Sequence, residues 1–350
     1  METTKHTQTG LPAEIAKLLY NGTVIPAHPL VLKKDSKQID EPGQRALTRY
    51  YISSGAGGVA VGVHTTQFEI RDKAFRLLEP VLKIVAEEID SNPLERPFLK
   101  VAGICGETKQ AVAEAEVACK YGYHMGLLSM GGLSHYTEDA LLERVKAVVS
   151  VIPVFGFYLQ PAVGGRVLSY DFWKQFAEIP GVYAIKIAAF NRYHTIDVVQ
   201  AVCNASRRDE IALYTGNDDN IVADLVTPYR FAVNGKMVEK TFVGGLLGHW
   251  AFCTAHAVNT LKEVKHCIDN RYAGIENILA KGIEITDANA AVFDVEHNFH
   301  GCISGIHEML RREAVMAYTG CLLEKEALSP GQLTKIDAVC KKYFPVLVSK

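Results

Sequence analysis

One lysine stands inside an otherwise apolar β-like run, Val182-Tyr-Ala-Ile-Lys-Ile187. Lysine is rarely buried without a reason. Removal from water disfavours the ammonium form and lowers its pKa, so a neutral amine becomes available as a nucleophile. That is what imine formation with a carbonyl substrate requires. The competing reading packs the stem of Lys186 on an outer wall and sends its head to water. A second run ends Phe155-Gly-Phe-Tyr-Leu-Gln-Pro161 and puts Tyr158 just before a strand-end turn. A phenol pointing into a cavity there could shuttle protons; the bland alternative is a rim tyrosine with its hydroxyl in water. A third run ends Val63-His-Thr-Thr66. Two consecutive hydroxyls and their amides fit a carboxylate-binding loop, or simply a hydroxyl-rich turn.

The elements that must position these residues alternate along the chain. Short apolar runs at 23–31, 58–63, 98–104, 125–129, 154–159, 182–187, 211–215 and 241–247 read as strands. Helical patterns at 41–54, 74–89, 107–121, 137–150 and 196–204, and one from about 251, fall between and after them. Strands covered on both faces lose their alternation and read as continuous apolar runs. Eight βα units predict a closed (β/α)8 TIM barrel over 15–270, and no GxGxxG follows the first strand to favour a doubly wound dinucleotide fold. In such a barrel the chemistry lies at the C-terminal strand ends. Between the seventh helix and eighth strand, 231–239 predicts a two-residue hairpin around Asn234-Gly235. A C-terminal helical extension, 271–350, is expected with helices near 287–299, 303–318 and 330–342. Ser329-Pro330 is read as the cap and first position of the last of these. Its apolar stripes need cover from the barrel or a neighbouring subunit.

With 48% apolar and 22% charged residues and a net charge of -2, the 350-residue chain has the composition of an ordinary globular enzyme and no electrostatic case for nucleic acid or an acidic membrane. Its eight cysteines form no CxxC pair, the first stretch is polar, and no apolar run is long enough to span a bilayer. A cytoplasmic location with reduced thiols is the expectation.

Taken as an ordered set, Pro26-Ala-His-Pro29, Gly62 with Thr65-Thr66, Tyr158 to Pro161 with Gly164-Gly165, and Ile185-Lys186 resemble the dihydrodipicolinate synthase and N-acetylneuraminate lyase family of class I aldolases. The Thr215-Gly-Asn-Asp218 turn and Gly244-Gly245 are similar to that family's last two strand ends. The resemblance implies Lys186 as the imine-forming lysine, Tyr158 as the relay tyrosine, and Thr65 and Thr66 as the pair that holds the keto-acid carboxylate and assists the relay. It adds Gly245 to the substrate-binding set. Two departures matter. Gln67-Phe68 replaces the Gly-Glu that follows the family's two hydroxyls, and Val163 stands nearest to where the synthases carry a carboxylate-gripping arginine. Dihydrodipicolinate synthesis itself is therefore not expected. The loop after the fourth strand, Ser129-Met-Gly-Gly-Leu-Ser134, lacks the tyrosine that the synthases lend to a neighbouring subunit.

Specificity is expected from His64, Asn191, Arg192, Asn217, Asp218 and His249, all just past strand ends, with Arg192 the candidate for a distal anionic group. The expected activity is a lyase that forms an imine with pyruvate or a related 2-oxo acid, with an aldehyde as possible second substrate, or a hydro-lyase variant. No metal or other cofactor is called for, and a homo-oligomer, dimer or tetramer, is expected. Two alternatives stand beside it: a metal-dependent lyase holding a divalent ion on His28, His64 and His249, and a barrel that lost catalysis and serves as a sensor.

Overall fold

Branched apolar runs become parallel strands here because helices cover one face of each and the barrel interior covers the other. The computed structural model describes residues 10–347. Its strands are β1 Val24–Pro26, β2 Gly58–Val61, β3 Leu99–Ile104, β4 Met125–Ser129, β5 Val154–Leu159, β6 Val182–Ala188, β7 Ala212–Thr215, β8 Tyr229–Val233, β9 Lys236–Lys240 and β10 Phe242–Leu247. The helices are α1 Ala13–Asn21, α2 Glu41–Ser53, α3 Leu78–Ser91, α4 Thr108–Lys120, α5 Glu138–Val149, α6 Tyr170–Glu178, α7 Arg192–Cys203, α8 Ile221–Val226, α9 Thr254–Asp269, α10 Ile275–Val292, α11 Cys302–Arg312 and α12 Gln332–Tyr343. Eight strands pair in the order β1-β10-β7-β6-β5-β4-β3-β2, all parallel. An Ala27–Ala60 bridge and the 2.8 Å hydrogen bond from His28 N to Ala60 O join β1 to β2. The chain is a (β/α)8 TIM barrel with C-terminal helices.

Side-chain alternation divides the core in two. Phe155, Phe157 and Leu159 of β5 and Ala184 and Ala188 of β6 belong to the inner cluster. Val154 and Tyr158 of β5 and Ile185 and Ile187 of β6 belong to the outer cluster, against the helices. Gly156 shares the outward face: a Cβ there would come within 2.6 Å of the Phe176 ring on α6. At the N-terminal end of the barrel, Ile15 and Leu19 of α1 join the inner cluster, and Tyr214 inside the barrel donates to Leu19 O at 2.8 Å. The sequence reading had no helix in that position.

Several element ends differ from expectation, each for a local reason. The first strand stops at Pro26, and the third helix begins at Leu78 because 3₁₀ turns occupy His64–Thr66 and Phe68–Arg71. The seventh helix starts at Arg192, since Asn191 Oδ1 accepts from the amides of Tyr193 and His194 and caps it. The hairpin forms as read, with Asn234 and Gly235 at φ 48° and 77°, the positive pair a type I′ turn needs. In the extension, α10 begins and ends earlier than expected. Asp294, Asn298 and Phe299 adopt φ of 57°, 53° and 66°, which no helix can contain. Ser329 is not the cap of α12; Gly331 holds that position, and the Ser329 hydroxyl donates to Asp294 Oδ2 at 2.5 Å. Buried residues of α10, α11 and α12, among them Ile285, Ile306 and Ile336, share the outer core of the barrel. Among the described residues no helix is long and apolar enough to cross a membrane.

Candidate active site

Lys186 lies on the inward face of β6, between Ala184 and Ala188, and only 8% of it is exposed. Its side chain enters a cavity at the C-terminal mouth that Ala27, Thr65, Phe157, Ala188 and Asp218 also line. Two small residues make room for it. Ala188 is one, and Gly216 is the other: a Cβ at Gly216 would stand 2.5 Å from Lys186 Cε and 2.8 Å from Ala188 Cβ. Gly216→Ala should therefore swing the amine aside. The rate of imine formation, followed by reductive trapping, should drop about 10²-fold, the cost of misplacing a reacting group by ~1 Å. An unchanged rate would show that the close approach is dispensable.

Burial pushes the Lys186 ammonium below the usual lysine range, and the charge of Asp218 partly restores it. The ammonium also sits 4.3 Å from the centroid of the Phe157 ring. Asp218 shows the converse: burial raises its carboxyl, while a 3.1 Å hydrogen bond from His249 N and the lysine's charge oppose the rise. His64, at the same cavity, is lowered to about 4 by burial and then by Lys186, so its ring is neutral at physiological pH. Two titratable groups of opposite charge, each displaced toward its neutral form in one small space, are what acid–base chemistry at a carbonyl needs. Thr65 also lines the cavity, and its hydroxyl finds no hydrogen-bond partner.

Tyr158, Thr66, Gly245, Asn191, Arg192, Asn217 and His249, expected at the site, do not line the cavity. Tyr158 does not face the mouth. Alternation turns it to the helix side, where its ring packs 5.3 Å from that of Trp173 and its hydroxyl accepts only a 3.4 Å contact from Leu168 N. The phenylalanine one residue earlier takes the inward place. Tyr158→Phe should leave turnover within about threefold of wild type, against the ~10²–10⁴-fold that loss of a general acid–base costs; a fall of that size would return the relay role to it. Thr66 spends its hydroxyl on the loop, donating to His28 O at 2.7 Å and accepting from the amides of Gly62 and Val63. It shapes the turn that presents Thr65. Gly245 is not at the cavity either, since the ring of Trp250 fills the space beside it.

Arg192 and Asn217 meet at a buried carboxylate instead. Arg192 Nη1 pairs with Asp224 and reaches Tyr229 Oη at 3.2 Å. Asp224 also accepts from Thr215 Oγ1 at 2.7 Å and from Asn217 Nδ2 at 2.9 Å. Asn217 in turn accepts from Phe190 N at 3.0 Å and ties the β7 turn to the end of β6. Arg192 is thus a support for the strand ends. Arg192→Ala should destabilise the fold by about 1–3 kcal/mol in a denaturant titration, the cost of removing one partner from a buried charged group, and leave KM for the acceptor unchanged. A raised KM at native stability would restore the distal-anion role. The three histidines considered as a metal set do not converge. His28 is held by Gln44 and Thr48 on the outer side, and His249 Nδ1 bonds Asn289 Oδ1 at 2.7 Å. Among the described residues no three His, Cys, Asp or Glu side chains come together.

Sequence reasoning missed the roof. Phe293, Phe299, Cys302 and Ile306, all from the C-terminal extension, cover the cavity, and Phe190 packs edge-on against Phe299 at 5.7 Å. Phe190 and Phe299 hold φ of 49° and 66°, strain of the kind found at ligand-binding sites. No local signal ties the tail to the mouth. Asp218 carried one, an acid next to the Thr215-Gly216 strand end, and was read there as a specificity residue.

The fold and the cavity define a (β/α)8 barrel with a buried lysine on its sixth strand. No family model matches the chain. It is 26% identical over 207 residues to N-acetylneuraminate lyase of Citrobacter koseri, an alignment that covers 58% of this chain and 65% of the relative, just under two thirds of the latter's length. Dihydrodipicolinate synthase of Oceanobacillus iheyensis superposes with a TM-score of 0.73 at 15% identity, over 95% of this chain and 99% of the other. YagE, a prophage protein of the dihydrodipicolinic acid synthase family from E. coli K12 solved in complex with pyruvate, gives 0.72 at 17% identity, over 93% and 99%. CdNal of Clostridium difficile, solved in complex with mannosamine, gives 0.69 at 15%, over 92% and 99%. The relatives matched in sequence and in fold are thus members of the dihydrodipicolinate synthase and N-acetylneuraminate lyase family, the family the sequence resembles.

Proposed function

We propose that the chain is a class I lyase in which Lys186 forms an imine with pyruvate or a related 2-oxo acid. The observation that carries this reading is the buried amine of Lys186, lowered in pKa, in one cavity with the unpartnered hydroxyl of Thr65. The neutral amine attacks the keto carbon, and loss of water from the carbinolamine leaves a protonated imine. Thr65 holds the carboxylate at the 63–66 turn. The imine draws electrons from the adjacent carbon, so the bond one carbon further out can be formed or broken. Asp218 exchanges the proton of the acceptor oxygen, with neutral His64 beside it; no tyrosine takes part. The pyruvate complex of YagE, a protein of the same fold, supports the choice of keto acid. With Val163 at the cavity where a second carboxylate would need a cation, the condensation is not that of dihydrodipicolinate synthesis. The test is borohydride reduction in the presence of pyruvate, read as a covalent adduct by intact mass and located by peptide mapping.

A further inference from the structure

Beyond the lysine, the space left for a second substrate has walls of one kind. Phe157, Val163, Phe190, Phe299 and Ile306 surround it, and its polar side chains, apart from Gln160 and the weakly polar thiol of Cys302, are those the keto acid and proton transfer already use. Arg192, the cation past the end of β6, is engaged by Asp224 and Tyr229. We propose, resting on the imine reading above, that the acceptor is an uncharged aldehyde with an apolar body, aromatic or short aliphatic, and without hydroxyl groups.

An anionic acceptor would be buried there with no partner, and a polyol would lose water from hydroxyls that the walls cannot satisfy. An apolar body gains from the same burial. A more polar space lies outside, lined by Glu69, His297, Lys325 and Glu326, and shares only His64, Val163 and Phe299 with the inner one. Lys186, Thr65 and Asp218 do not line that outer space.

In condensation, the Asp218 carboxylate takes a proton from the methyl carbon of the pyruvate imine to give the enamine, and that carbon attacks the aldehyde carbon so that the C–C bond forms. The carbonyl π pair goes to oxygen, which takes the proton of Asp218 and becomes a hydroxyl. The enamine nitrogen pair restores the imine, and water hydrolyses it to release a 4-hydroxy-2-oxo acid and the free amine. Cleavage runs the same steps backwards.

The experiment gives the full-length protein pyruvate with benzaldehyde, butanal, glyceraldehyde or succinic semialdehyde, and measures the aldol product by mass spectrometry alongside the reduced pyruvate adduct. Benzaldehyde or butanal should exceed the other two by at least about tenfold in kcat/KM, the discrimination a hydrophobic pocket commonly achieves. Equal or better use of glyceraldehyde or succinic semialdehyde, or no turnover of either apolar aldehyde while the pyruvate adduct forms, overturns the assignment. Absence of the adduct overturns the imine reading itself and the acceptor class with it.

Discussion

Lys186→Ala should abolish the pyruvate adduct that borohydride fixes on the wild-type protein, and turnover with it. Imine formation needs a neutral amine within reach of the keto carbon, and Lys186 is the lysine that lines the cavity. Lys186→Arg should be as inactive, because a guanidinium is not deprotonated in proteins. Sign and pH follow from burial. The folded pKa lies below the ordinary value of about 10.4, so the free-amine fraction grows as pH rises through that lowered value. Adduct formation should therefore climb at a pH where an exposed lysine is still fully charged. An adduct that survives in Lys186→Ala, or a wild-type profile that rises only at the ordinary lysine pKa, would refute the role.

Asp218→Asn should keep the adduct and lose the turnover. Asparagine preserves shape and can still accept from His249 N, but it transfers no proton. The fall in kcat should be about 10²–10⁴-fold, the usual contribution of a positioned acid–base. Asp218 raises the Lys186 pKa by its charge, so its removal lowers that pKa further and leaves more free amine. Trapping by pyruvate should persist for that reason. Since burial lifts the Asp218 carboxyl, the wild-type kcat profile should carry an inflection above the ordinary aspartate range, and the variant should lack it. Turnover within about threefold of wild type would sink the assignment.

Strand positions were legible because apolar runs bounded by turns depend only on local chain. The burial of Lys186 within its strand was legible for the same reason, although Lys100 stands in an equally apolar strand and pairs with Asp90 at 2.6 Å. What separates the two lysines is a partner ten residues away in sequence on another element, which no periodicity reveals. Tyr158 failed by a single residue. Alternation reverses which side chain faces in, and the clue was Gly156, whose missing side chain admits Phe176 from the helix layer and so fixes the even positions of β5 as outward. Arg192 failed because the Asn191 cap was not read, and the residue after a cap belongs to the helix rather than to a free loop. The hub at Asp224 gathers side chains from β7, α7 and β8, and such convergence exists only after folding.

The Gln67 side chain that follows the Thr65 turn accepts from Leu322 N at 2.6 Å, across 255 residues of chain. The cavity that holds Lys186 is closed in part by Phe293, Phe299, Cys302 and Ile306, so the dryness that sets the amine's chemistry depends on chain more than a hundred residues beyond the lysine itself.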